Sequence, residues 1–429
     1  MASQVTKRPL LGLLGLVSWI QGFRCFPWMA VNFFLKDGLN VAPSTLQILQ
    51  NSANLPMVGK PLYGVVSDAV YISGEHRLPY IAIGALLQAV SWLMIVLLPA
   101  SLITIPTLSF FLLLGNLGAS IGEVANDAIV AEASTSSGSS GQLQSFVWIS
   151  ASIAGVFGNL FGGIAVDALS PKTMFFIYGI FLIIQFFVTV FVREKDLNLP
   201  LQSPSKIGIG SQLSELLMVL QKPEIKNSIV WFSASYAVIP ILTGTMFFYQ
   251  TQHLKLDSSV LGLSKVFGQA AMLLWSIAYN RWFKMVPARK LISVIQGTIA
   301  VFMVSDALFI KGFYRNLGIS DSVYVVVFSG MLEVLFLFKV LPFSVLIARL
   351  CPLGCEGSLM AFLMSALAFS TIISGYLGVA LASLMGVSAN DFSGLPLGIL
   401  IQATCTLVPL FWSSWIPHEA DVKKQRKAE

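Results

Sequence analysis

Apolar runs long enough to cross a bilayer recur along this chain from Leu10 almost to Trp415, and that repetition rules out most folds at once. A spanning helix needs about 20 mostly apolar residues, and twelve segments meet the requirement. By residue number they are 10–35, 44–70, 78–98, 106–131, 142–169 and 172–192, then 227–251, 258–281, 288–311, 321–348, 356–386 and 394–416. We call them spans 1 to 12. Charged residues make up only 11% of the 429, and apolar ones 56%; a soluble domain carries about a quarter charged residues. That balance leaves too little polar surface to cover a protein in water. The prediction is an all-α polytopic membrane protein with twelve transmembrane helices in two six-helix bundles, 1–192 and 227–416. A polar linker (193–226), broken by Pro200, Pro204 and Pro223, joins them, and a polar tail (417–429) follows. Six plus six around a polar linker is the layout of a transporter built from two related halves.

Lysine and arginine set the topology. With both termini inside, inner segments hold 17 of the 26 basic residues and outer segments 5, so both termini are expected in the cytoplasm. The net charge of +6 is thus a topology signal, not a nucleic-acid footprint. The first apolar stretch runs on to about Leu35 without a small-residue cleavage site, so it reads as a span and not as a cleavable presequence. Within the linker, 211–220 has the pattern of a short amphipathic helix on the bilayer surface. Residues 134–141, rich in Ser and Gly, read as a hinge between spans 4 and 5. Cys25, Cys351, Cys355 and Cys405 have neither disulfide-framework nor zinc spacing and read as small buried hydrophobes.

Between spans 2 and 3 stands Gly64-Val-Val-Ser-Asp68, followed by Gly74-Glu75-His76-Arg77. Glycine permits close helix approach, the Asp can cap the next helix, and the Arg can pair across the loop. This resembles the signature loop of the major facilitator superfamily, and Tyr279-Asn280-Arg281, Lys284, Arg289 and Lys290 form a degenerate copy at the matching place in the second half. Gly64, Asp68, Arg77 and Asp127, towards the cytoplasmic ends, are the expected gate. Gly155, Gly158, Gly162 and Gly163 in span 5 are expected to serve close packing.

Ionisable residues inside spans point to function, because each is costly in hydrocarbon unless paired or facing water. Arg24 lies mid-way along span 1, and Lys60 about 24 Å from the outer end of span 2 at 1.5 Å per residue. Glu123 and Asp127, four apart in span 4, share a helix face; Glu333 and Lys339 lie in span 10. Lys265 and Asp306 are also embedded, with no role assigned. The facilitator resemblance implies that spans 1, 4, 7 and 10 line a central cavity. Arg24, Lys60, Glu123, Glu333 and Lys339 are accordingly the expected substrate-binding residues. Glu123 and Glu333 are expected to offset the three cations and to carry protons.

Four blocks extend the resemblance to a narrower family: Phe33-Phe-Leu-Lys-Asp37; Pro56-Met-Val-Gly-Lys60-Pro-Leu-Tyr-Gly-Val-Val-Ser-Asp68; Glu123-Val-Ala-Asn-Asp127-Ala-Ile-Val-Ala-Glu132; and Cys351-Pro-Leu-Gly-Cys-Glu356-Gly. They are similar to the folate–biopterin transporters. That resemblance implies secondary transport of folates or pterins with protons as coupling ion; the alternative is facilitator-type transport of another small organic anion or metabolite. The residues suit such cargo: Arg and Lys for a carboxylate tail, and aromatic faces such as Trp28 or Tyr249 for a flat heteroaromatic head. The implied partners are the small-molecule substrate, protons and the lipid bilayer. An enzyme is not expected. His76, His253 and His418 fall in loops or at span ends, no His pair has metal spacing, and neither a phosphate-binding loop nor a membrane aspartyl-protease motif occurs. No metal or cofactor is expected.

Overall fold

The computed structural model describes residues 8–137, 140–197, 209–350 and 356–417. The Cys351–Cys355 part of the fourth family block, 138–139 of the hinge, 198–208 of the linker and the tail from 418 lie outside the described residues.

Backbone polar groups find no water in a bilayer core, so helices that bond internally are the natural result of such long apolar segments. Among the described residues every regular element is helical, apart from one isolated β-bridge between Ile72 and Glu75. Ten helical stretches among the described residues are long and apolar enough to cross a membrane. The other two expected spans are present but interrupted. Span 2 is Pro43–Ala53, a 3₁₀ turn Leu55–Gly59, then Lys60–Ala69. Span 7 is Pro223–Ala237, then Thr243–Phe248, with an extended break between. The amphipathic stretch in the linker is part of a helix, Ile209–Gln221.

Proline explains the breaks, since its ring clashes with the carbonyl four residues back and it donates no hydrogen bond. Pro56 and Pro61 interrupt span 2, and Pro240 interrupts span 7. Pro27 ends the first segment of span 1 at Phe23, so Arg24 occupies the joint before Cys25–Phe33. In the same way Pro342 ends Gly330–Phe338, and Lys339 occupies the joint before Val340–Leu350. Both basic residues stand three before a proline.

The chain divides into two compact units, Met1–Phe34 with Ser52–Leu216, and Leu35–Asn51 with Leu217–Glu429. In the first unit, Leu13, Leu14, Val17, Ile81, Ile129 and Leu197 belong to a buried apolar cluster. Span 5 meets span 1 there: a methyl on Gly158 would lie 2.6 Å from Cys25 Sγ, and one on Gly162 3.3 Å from Met29 Cβ. In the second unit, Phe232 stacks on Phe343 at 4.0 Å, among Trp231, Ile292, Ile347 and Leu363. Gln47, buried from solvent, belongs to this unit. Its Nε2 donates to Ile241 O and Gly375 O, both at 2.7 Å, and its Oε1 accepts from Gly244 N at 2.8 Å. Glycine is needed at that socket, since a methyl on Gly378 would sit 1.8 Å from Ile241 O.

Candidate functional site

The breaks in spans 1 and 2 bring the charges of the first unit together. Glu123 accepts from Arg24 Nη1 at 3.1 Å on one oxygen and from Lys60 Nζ at 2.7 Å on the other. Arg24 also donates through Nη2 to Asn116 Oδ1. Asn116 and Ser120 stand on the same face of span 4 and attend to the interruption in span 2. Asn116 Nδ2 donates to Ala53 O at 2.6 Å, and Ser120 Oγ to Pro56 O at 3.1 Å. Carbonyls left free where span 2 tightens into its 3₁₀ turn are thus satisfied by span 4 side chains. The three charged side chains keep 18–22% of their surface exposed, so the group is reachable and not sealed. Two cations share one carboxylate. Asp127, one turn further on, forms no ion pair among the described residues.

Of the residues expected at the gate, Asp68 and Arg77 form a separate cluster in the same unit. Arg77, only 5% exposed, pairs with Asp68 through Nη2 and with Glu132 through Nη2 (2.8 Å) and Nε (3.0 Å); its Nη1 donates to Ser67 Oγ at 2.6 Å. Burial opposes the guanidinium charge, but Asp68 and Glu132 outweigh it and hold the Arg77 pKa above its usual value. Glu194, opening a 3₁₀ turn at the start of the linker, caps span 3. It accepts from His76 N at 2.8 Å, Leu78 N at 2.9 Å and Arg77 N. Asp68 therefore binds the guanidinium and leaves the cap to Glu194, contrary to expectation. Glu75 Oε2 in turn accepts from Glu194 N at 2.9 Å. The tight turn that aims Arg77 inward has positive φ at Ser73 and Gly74, a conformation glycine adopts without strain. His76 stacks on Tyr71, centroids 4.4 Å apart, and its Nε2 is buried with no hydrogen-bond partner among the described residues. Burial, aided by Arg77, lowers the His76 pKa. Gly64 is not a close-packing point: a methyl there would meet Val124 at an ordinary 3.6 Å. Asp127 stands outside this cluster, and Glu132, five residues on, supplies the span 4 carboxylate.

In the second unit the charges are dispersed. Lys339 is fully buried; its Nζ donates to Gln296 Oε1 at 2.7 Å and to Ser235 O and Oγ at 3.3 Å, and it lies 3.9 Å over the centre of the Tyr236 ring. Gln296 is oriented for this by donating its Nε2 to Thr406 O at 2.8 Å. The expected offset of Lys339 by a glutamate is thus not seen. Glu333 is paired with Lys265 of span 8, and both side chains are roughly half exposed, 53% and 41%. Asp306, buried, accepts from Tyr324 Oη at 3.0 Å and Ser329 Oγ at 3.3 Å. Of the candidate stacking rings, Trp28 lies edge-on to Trp92, and Tyr249 is buried against His253, Phe309 and Phe392. Sequence reasoning missed Glu132, Glu194 and the Lys265–Glu333 pairing. Proline next to or three residues after a basic residue was a signal available for the joints.

Comparison with known proteins places the chain. The family model of the BT1 family matches residues 21–429. A protein of Arabidopsis thaliana named probable folate-biopterin transporter 7 is 59% identical, over 99% of this chain and 97% of the relative. Probable folate-biopterin transporter 9, chloroplastic, of the same organism is 42% identical over 94% of this chain and 76% of the relative. Among solved structures, the nucleoside transporter NupG superimposes with a TM-score of 0.67 at 15% identity, over 95% of this chain and 98% of that one, which supports the facilitator-type fold alone. With helical elements among the described residues, two compact units and embedded charges at helix joints, the chain belongs to the BT1 family, the folate–biopterin transporters, and is a multi-pass membrane transporter with the major facilitator fold.

Proposed function

We propose that this protein carries folates or pterins by secondary transport, and that Arg24 and Lys60 take the carboxylate tail of a folate while Glu123 carries the coupling proton. The observation that carries this reading is the sharing of one carboxylate between two cations at helix joints. An incoming carboxylate satisfies either cation by a charge-assisted bond, and the glutamate so released is free to take a proton. Glu333 plays the same part in the second half. Asp68 and Arg77 act on gating and leave binding untouched. Bundles 1–192 and 227–416 are the working halves, 193–226 is a cytoplasmic linker, and both termini face the cytoplasm, as the 17-to-5 basic bias indicates.

The test is uptake of radiolabelled folate, biopterin and an unrelated organic anion into proteoliposomes, with and without an inward proton gradient. Saturable folate or biopterin uptake driven by the gradient is expected. Glu123→Gln is expected to bind and exchange substrate while losing the response to the gradient. If Glu123→Gln and Glu333→Gln both keep wild-type gradient-driven uptake, proton coupling at these carboxylates is wrong. If only the unrelated anion accumulates, the substrate assignment is wrong.

A further inference from the structure

The Lys265–Glu333 pair differs in its environment from the other mid-span charges among the described residues. Glu333 stands 12 residues from the start of the 27-residue span Asp321–Ile347 and 14 from its end. That is about 18–21 Å from either end at 1.5 Å per residue, near mid-membrane. About half of its side chain and two-fifths of that of Lys265 are nonetheless exposed. A charged pair bared to hydrocarbon at that depth is costly, so the exposed side must meet water.

Span 8 says which side that is. Along Ser258–Ala278, the strongly exposed apolar residues Leu263, Leu274 and Ile277 (47%, 66% and 64%) fall on one stripe. At 3.6 residues per turn, Lys265 lies roughly 120–180° away from them. Gln269 and Ser276 continue its line, one and three turns on, both partly exposed. One helix therefore shows two surfaces, an apolar one suited to lipid and a polar one headed by Lys265. The pair is also rigidly mounted. A methyl on Gly330 would lie 2.7 Å from Ser264 O, and one on Gly268 3.2 Å from Gly330 O, so the two helices meet backbone to backbone beside the charges. Ser264 Oγ adds a 3.0 Å bond to Val325 O. Lys339, by contrast, spends its donors on Gln296 and Ser235 and is fully enclosed.

We infer that Lys265 is a carboxylate-binding residue of the substrate path, exchanging Glu333 for the acid tail of the cargo and so distinguishing folates from pterins that lack the tail. This rests on the transport reading above. A lysine ammonium is a compact point charge with three donors, so a second carboxylate replaces Glu333 without rearranging the helices.

The experiment has two arms. In protein with its four cysteines changed to serine, Gln269→Cys and Ile277→Cys are placed on the polar and apolar stripes and reconstituted in proteoliposomes. A charged methanethiosulfonate is expected to label position 269 and spare 277. p-Aminobenzoylglutamate, a carboxylate tail without the pterin, is expected to slow labelling at 269 when Lys265 is present and not in Lys265→Gln; pterin alone should not protect. Equal labelling of the two stripes, or the same protection with and without Lys265, overturns the inference. In the second arm, Lys265→Gln is expected to raise KM for folate roughly tenfold or more, the scale of a lost bond to a charged group. Biopterin exchange measured without a proton gradient should keep its KM, and Lys265→Arg should restore most of the folate affinity. Equal loss for both substrates overturns it. If wild-type protein carries neither substrate while Lys265-dependent protection holds, the transport reading falls and the carboxylate site stands.

Discussion

The two halves use one device for opposite ends. Each places a basic residue at a helix joint three residues before a proline, Arg24 before Pro27 and Lys339 before Pro342. In the first half the joint is polar, partly exposed and pooled with a second cation on one shared glutamate. In the second the joint is closed over, and the lysine is held by an amide, a hydroxyl, a carbonyl and an aromatic face. The reachable charge has moved to Lys265 and Glu333. What differs is not the position of a cation but what surrounds it. Partial exposure leaves a charge able to change partners, whereas Lys339 is fully enclosed among neutral donors and acceptors.

Removal of the carboxylates breaks this comparison most sharply. Glu123→Ala strands two largely buried cations and is expected to cost about 3–5 kcal/mol, read as a lowered unfolding temperature in detergent. Glu333→Ala opens a half-exposed pair and is expected to cost no more than about 1 kcal/mol. Equal losses would mean the two sites are not built differently.

A smaller effect is expected where enclosure has made a cation structural. Lys339→Met removes a buried charge but leaves Gln296 Oε1 without its donor, at about 1–3 kcal/mol. Pairing it with Gln296→Leu should recover part of that loss, and substrate uptake should survive both changes. Lys60→Met, judged by the same uptake assay, should not tolerate the exchange. Loss of transport in Lys339→Met protein of normal stability would return Lys339 to the substrate path.

The smallest expected effect is a pH dependence in the Arg77 cluster. Burial, with Arg77, lowers the pKa of folded His76, while the unfolded side chain returns to about 6.5. Between those two values the unfolded chain holds the extra proton, so stability falls as pH is lowered through that window and is whole above it. His76→Phe keeps a ring against Tyr71 and should flatten the curve at its acid end. Glu132, Glu194 and Asp68 lie near the imidazole and oppose the shift, so the change is expected to be small.

Much of this was legible in the sequence because lipid leaves a chain few choices. Apolar length located the spans, and basic residues predicted their direction. The placement of ionisable residues on spans 1, 2 and 4 anticipated the meeting of Arg24, Lys60 and Glu123. Pairings in the other sites were not legible. Arg77 meets Glu132 across 55 residues, and Lys265 meets Glu333 across 68. In spans apolar on every side, periodicity does not tell which face packs and which is bared. Lys339 and Glu333 are six residues apart in one helix, yet one is enclosed and the other open, a matter decided by spans 7 and 9. Glu194 escaped notice because a capping residue was sought beside the helix it caps, and it arrives from the linker.

The socket of Gln47 has a consequence for how the chain is made. Its three bonding partners lie 194, 197 and 328 residues downstream. At about 5–20 residues per second of synthesis, the last of them leaves the ribosome on the order of twenty to sixty seconds after Gln47 has entered the bilayer. Throughout that interval an amide waits with these partners unmade, in a segment that packs with the second unit although it precedes most of the first. The hydrogen bonds around Gln47 therefore close only once Gly375 of span 11 has been made.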